Sequence, residues 1–146
     1  MKETHFDVVI TNFIFNYATE ETMISSLLQT CHKLLRPGGI VIGLNDNPDC
    51  DLPPDSFHEH QFTRRNVDGF VVEFKLWSVV NNEKTSIEFC NYITPKKVFH
   101  RLGKEIGFRS LELQVPLLDD AAKDVSLNFD SLISPNGAVM CIHACK

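Results

Sequence analysis

Positive charge is scarce in this sequence: 14 Lys and Arg stand against 19 Asp and Glu, a formal net charge of -5. No run of basic residues exceeds two, so the chain lacks the electrostatic footprint of a nucleic-acid binder. No apolar run reaches the roughly 20 residues that cross a bilayer, and Met1-Lys2-Glu3-Thr4-His5 is too polar to open a signal peptide. These absences predict a cytoplasmic protein with neither nucleic acid nor membrane as a partner. An even cysteine count is missing too: Cys31, Cys50, Cys90, Cys141 and Cys145 are an odd set, four of them in apolar patterns, and read as reduced thiols. Alternation places Cys141, His143 and Cys145 on one strand face with no fourth ligand nearby, so no metal is expected.

What is present fits one domain of 146 residues, with 43% hydrophobic and 23% charged residues. Phe6-Asp7-Val8-Val9-Ile10-Thr11 is a short β-branched run of the kind that forms a strand covered on both faces. Thr19 can cap a helix whose first turn carries Glu20 and Glu21 and whose apolar stripe is Met23, Ile24, Leu27, Leu28, Cys31, Leu34 and Leu35. Pro37-Gly38-Gly39 then stops the helix, and Ile40–Leu44 is a second apolar strand. Strand, helix, strand is a βαβ unit, which implies a parallel sheet with its crevice beyond the carboxyl ends, near Thr11–Tyr17 and Asn45–Asn47.

Asn45 to Asn66 reads as a long polar loop holding at most a short helical turn. Gly69–Val80 and Thr85–Ile93 read as an antiparallel hairpin, with Phe70, Val72, Phe74 and Leu76 on one face and Trp77 on the other. Thr94-Pro95 predicts a helix start, and Val98, Phe99, Leu102 and Ile106 its buried stripe, ended by Gly107-Phe108. Arg109–Val115 alternates as a strand, Pro116–Ile133 is irregular, and Ala138–Ala144 is the last strand, after the turn Ser134-Pro135-Asn136-Gly137.

Four landmarks in this order, Phe6-Asp7-Val8-Val9-Ile10, Leu34-Leu35-Arg36-Pro37-Gly38-Gly39, Glu105-Ile106-Gly107-Phe108 and a closing strand after a turn, resemble the class I methyltransferases that use S-adenosylmethionine (SAM). The match runs from the family's fourth strand onward. The resemblance implies a truncated Rossmann-like α/β sheet, strands four to seven of the order 3-2-1-4-5-7-6, with the seventh antiparallel and residues 67–93 an inserted hairpin over the substrate mouth. It implies a single partial domain over residues 1–146, SAM as cofactor and a small-molecule methyl acceptor. The family's Gly-rich strand-to-helix loop and ribose-binding acid are not encoded before Phe6, and Gly38, Gly39 and Gly43 follow a helix and enter a strand, the reverse of such a cradle.

By position in that resemblance, Thr11, Asn12 and Phe13 border the cofactor and Tyr17 closes the crevice. The bland reading makes Phe13, Phe15 and Tyr17 ordinary core aromatics. Asn45 and Asn47 follow the second strand and could orient a polar acceptor, although Asn-Asp-Asn-Pro is also a good turn. Tyr92 and Trp77 could line the substrate mouth or simply pack. His58-Glu59-His60 matches no common zinc spacing, but His58 could accept a proton from an amine or hydroxyl acceptor. If the chain is complete, Phe6–Thr11 becomes an open sheet edge, which predicts pairing, either as a homodimer or with an amino-terminal fragment. It also leaves open a non-catalytic binding module as the alternative to an enzyme.

Overall fold

The computed structural model describes residues 5–68, 70–116 and 136–146. The expected irregular stretch Pro116–Ile133 lies almost wholly outside them, as do Gly69, Ser134, Pro135 and the first four residues.

Strand β1 (Phe6–Ile10) runs into a 3-10 turn at Ile14–Tyr17, then helix α1 (Glu21–Leu34). Thr19 does not cap that helix. Glu20 occupies the cap in an extended conformation without a side-chain hydrogen bond, and the Thr19 hydroxyl points instead to Met23 Sδ at 3.5 Å. Ile24, Leu28 and Cys31 are the buried stripe, while Met23 and Leu34, at its margins, are exposed.

Strand β2 (Leu35–Asp46) begins before the Pro-Gly-Gly segment. The helix ends at Leu34, so that segment is not its stop signal but a bulge within the strand: Phe6 pairs with Leu35, Val8 with Ile40, and the residues between loop out. Pro37 cannot donate to a ladder and is tolerated there for that reason. Farther along, a Cβ on Gly43 would stand 1.8 Å from the Thr11 carbonyl oxygen, so a side chain is incompatible with the approach of β1 to β2.

Asn45–Asn66 is not one loop. Asn45 and Asp46 end β2, Pro54–His60 is a 3-10 helix, and β3 (Phe62–Asn66) is a strand that sequence reading missed. It pairs antiparallel with β4 (Val71–Val80), which pairs with β5 (Glu83–Tyr92), so the hairpin is two-thirds of a three-stranded sheet. Asn81 and Asn82 make the two-residue connection, both at positive φ (52° and 63°), the conformation that matches strand twist.

Helix α2 (Lys96–Ile106) buries Phe99 and Leu102 and ends at Gly107, whose φ of 102° suits glycine. Its start differs from expectation: Pro95 is the cap residue rather than the first helical one, and Thr94 makes no capping bond. Strands β6 (Ser110–Gln114) and β7 (Val139–Cys145) complete a mixed sheet of order β1-β2-β7-β6, with β1 and β2 parallel and β7 antiparallel to both neighbours. This mixed α/β arrangement, a parallel pair continued by an antiparallel strand, is the strand order expected from sequence.

One face of this sheet, carrying Val41, Leu111, Leu113, Met140, Ile142 and Ala144, packs with α1 and α2 around Phe15 and Phe99, whose rings meet edge to face at 5.3 Å. On the opposite face Val8, Ile10 and Ile42 are exposed, at 42%, 67% and 38%. Burying both faces is what stabilises a parallel sheet, so β1 is under-covered among the described residues.

Candidate functional site

The carboxyl ends of the parallel pair β1 and β2 are held together by backbone and amide groups. Thr11 N–H donates to the Ile42 carbonyl (2.9 Å) and Phe13 N–H to that of Leu44 (2.8 Å). Asn12 closes the alternate position, its Oδ1 accepting from Leu44 N–H at 3.2 Å. Phe13 sits in the left-handed region (φ 55°), which turns the chain sharply off the strand into the Ile14–Tyr17 turn.

Beyond this seam lies a buried polar cluster. Asn16, Asn45, Asp46, Asn47, Arg64 and Asn91 are all buried, and they come from the β1 turn, the end of β2, β3 and β5. Asp46 Oδ2 accepts from Asn91 Nδ2 at 3.1 Å, and Asp46 N–H lies 3.5 Å from Asn16 Oδ1. Arg64 donates through Nη2 to the Asn47 carbonyl and through Nη1 to Asn66 Oδ1, each at 3.0 Å. Burial pushes the Asp46 carboxyl pKa up, against the opposing Asn91 hydrogen bond and the Arg64 charge. Thr11 Oγ1, Asn16 Nδ2, Asn45 Oδ1 and Arg64 Nε are buried without a hydrogen-bond partner. Unsatisfied buried groups are uncommon in folded proteins and cluster at sites built for something other than packing.

Of the residues singled out from sequence, Thr11, Asn12, Phe13, Asn45 and Asn47 come together at these carboxyl ends. Asn47 is a buried joint: its N–H donates to Ala138 O (2.8 Å), its Nδ2 to Gly137 O (2.8 Å), and its Oδ1 accepts from Asp49 N–H (3.0 Å). Tyr17 is 69% exposed on the rim. Tyr92 lies apart with Phe70, Thr94 and Pro95 around a cavity of about 170 Å³ beside the start of α1. His58 is elsewhere again, on the 3-10 helix, 3.2 Å from Asp55 and edge-on to Trp77 at 5.2 Å.

Sequence reading missed Asn16, Asp46, Arg64 and Asn91. Asp46 had one usable signal, its place between Asn45 and Asn47 at a strand's carboxyl end. Arg64 and Asn91 had none, since only the pairing of β3 and β5 with β4 carries them to β2.

Neither a family model nor a curated protein sequence matches the chain. Solved structures do. An S-adenosylmethionine dependent methyltransferase from Mesorhizobium loti superposes with a TM-score of 0.57 at 14% identity, covering 98% of this chain and 62% of its own. The CcbJ methyltransferase from Streptomyces caelestis gives 0.57 at 9% identity, over 99% and 62%. A methyltransferase of the same cofactor dependence from Clostridium acetobutylicum gives 0.54 at 8%, over 97% and 58%. The chain therefore has the Rossmann-like fold of SAM-dependent methyltransferases and spans about three-fifths of those proteins' length.

In such a fold a ligand like SAM would meet the sheet at the carboxyl ends of its parallel strands. The rim offers the aromatic rings of Phe13 and Tyr17 and the Asn12 amide, and the unpartnered Thr11 hydroxyl and Asn16 amide lie just behind it. Among the described residues no glycine follows a strand and opens a helix, the position from which backbone N–H groups would cradle the ligand's other side.

Proposed function

We propose that this chain is the carboxyl-terminal half of a SAM-dependent methyltransferase that acts on a small molecule in the cytosol, and that by itself it is inactive. The observation that supports this reading is the sheet order β1-β2-β7-β6, with the parallel strand β1 at the sheet's edge among the described residues. In this reading Thr11, Asn12, Phe13 and Tyr17 contact the methyl donor. Asn45 and Asn47 belong to the acceptor side, Asn47 as its scaffold, while Tyr92, in its own small cavity, and His58, on the 3-10 helix, lie apart from them. The chemistry the cofactor supplies is an electrophilic methyl group. The protein's part is to position an electron-rich acceptor against it and exclude water, which needs no protein nucleophile.

The edge is also where a partner belongs. Phe6, Val8 and Ile10 are 48%, 42% and 67% exposed on the strand that ends the sheet among the described residues, an association-prone surface. We assign it to a segment that completes the sheet, encoded upstream or supplied by another polypeptide, with homodimerisation the outcome when none is present. A purely non-catalytic pairing module is the second reading, favoured by the same exposed edge.

Calorimetric titration of SAM separates the two. The chain alone is expected to show no micromolar affinity. Coexpression with a segment carrying a strand, a Gly-rich loop and a helix is expected to restore it, and Asn12→Ala in the completed protein to weaken it. Micromolar binding by the chain alone refutes the half-site reading. A completed sheet that still ignores SAM refutes the enzyme reading and leaves the module.

A further inference from the structure

Asp46 is the one carboxylate buried among the described residues, and its setting is unlike that of a structural ion pair. A structural pair saturates its partners. Here Asn91 fixes one carboxylate oxygen at 3.1 Å, while the guanidinium of Arg64 spends its hydrogen bonds on the Asn47 carbonyl and Asn66 Oδ1 and leaves Nε unpartnered. Asn45 Oδ1 on the preceding residue and Asn16 Nδ2 on the facing turn are unpartnered too. The carboxylate stands at the carboxyl end of β2, where ligands meet a doubly wound sheet, and under the three-stranded sheet that lies beside it. Burial raises its pKa more than Asn91 and Arg64 lower it, so the group costs stability when charged. A charge held at such cost at the strand ends, among unpartnered polar atoms, is the mark of a group kept for chemistry.

We propose that Asp46 is the proton acceptor of the crevice, taking the proton that an amine or hydroxyl group loses as it is methylated. This rests on the methyl-transfer reading above. The acceptor's lone pair forms the new bond to the methyl carbon, and the carbon–sulfur bond of the sulfonium donor breaks with its electron pair retained on sulfur. The N–H or O–H proton passes to an Asp46 oxygen, and the carboxylic acid later releases it to water. Asn91 holds the carboxylate in place, and Arg64, the charged group whose field reaches it, keeps it ionised enough to accept. The substrate class is thus an acceptor with an exchangeable proton on the methylated atom, not a tertiary amine or thioether.

Asp46→Asn preserves volume and can still accept from Asn91. In thermal melts of the chain from pH 4 to 8 the variant is expected to equal wild type at the acid end and to melt ~2–4 °C higher at neutral pH, because it lacks a charge that burial disfavours. A variant that melts lower across the range marks Asp46 as a structural joint and overturns the proposal. In the SAM-binding completed protein, transfer to primary amines and alcohols is expected to fall ~10²–10⁴-fold, with the wild-type acid limb lost from the pH profile. Wild-type transfer matched by the variant overturns this inference alone. No transfer by wild type overturns the methyl-transfer reading and this inference with it.

Discussion

Gly43→Ala puts the topology at risk with a single methyl group. A Cβ there would stand 1.8 Å from the Thr11 carbonyl oxygen, 2.6 Å from its carbon and 2.7 Å from its Oγ1, where real contacts lie at 3.0 Å or more. The obstacle is mainly backbone, so no rotamer change relieves it and β1 must separate from β2 by over 1 Å. That motion breaks the Thr11-to-Ile42 and Phe13-to-Leu44 hydrogen bonds, worth ~0.5–1.5 kcal/mol each in net terms, and disturbs the packing of Val9 and Val41 beneath. The sum is a loss of ~2–4 kcal/mol, a large share of a typical domain's stability. Gly38→Ala is the control, since its φ of 77° carries a strain of ~1–2 kcal/mol but no atom lies within 4 Å of the added carbon. Urea denaturation ranks the two, and hydrogen exchange follows the Thr11 and Phe13 amides. A Gly43→Ala loss under ~0.5 kcal/mol with both amides still protected would mean that β1 and β2 are not parallel neighbours in this register.

Phe99→Ala removes a ring that is fully buried and edge-on to Phe15, and is expected to cost ~3–5 kcal/mol in chemical denaturation, whereas the same change at exposed Phe70 should stay within ~0.5 kcal/mol. His32 supplies a pH dependence: burial, then the Lys146 ammonium, lowers its pKa below the ordinary 6.5, with the Gly107 backbone opposing. The native chain thus binds fewer protons there than the unfolded one, so this contribution to stability is present above 6.5 and is lost as pH falls from there through the lower native value. Melting temperatures of wild type and His32→Gln are expected to diverge between pH 8 and pH 5, with the wild type falling more; parallel curves would remove His32 as the cause.

The elements legible in the sequence are those whose signal is local. The apolar period of α1, the φ-positive Gly107 after α2 and the β-branched run of β1 each specify their structure within a few residues. Strand β3 was illegible because Phe62-Thr63-Arg64-Arg65-Asn66 carries no apolar alternation, and its partner is set by the return of β4 across it. The same return buries Arg64, a residue type that sequence patterns place on the surface. The Pro-Gly-Gly segment misled in a different way: its residues do interrupt regular structure, but a strand bulge and a helix stop use the same chemistry, and only the pairing of Phe6 with Leu35 distinguishes them.

The polar cluster shows why the site was only half visible. Amides dominate the seam because a carboxamide can both donate and accept where a ladder runs out: Asn12 receives the Leu44 N–H, Asn16 faces the Asp46 N–H, and Asn47 ties the end of β2 to Ala138 and Gly137. Neutral amides do this without the desolvation cost of charge, so for holding strand ends together Asn at position 46 would serve as well as Asp. That the position carries a carboxylate, against its own burial and with unpartnered atoms around it, is therefore a fact that packing does not require. Under the proposal that Asp46 accepts a proton, the requirement comes from the acceptor, which makes Asp46, rather than the amides around it, the residue on which activity and stability should part company.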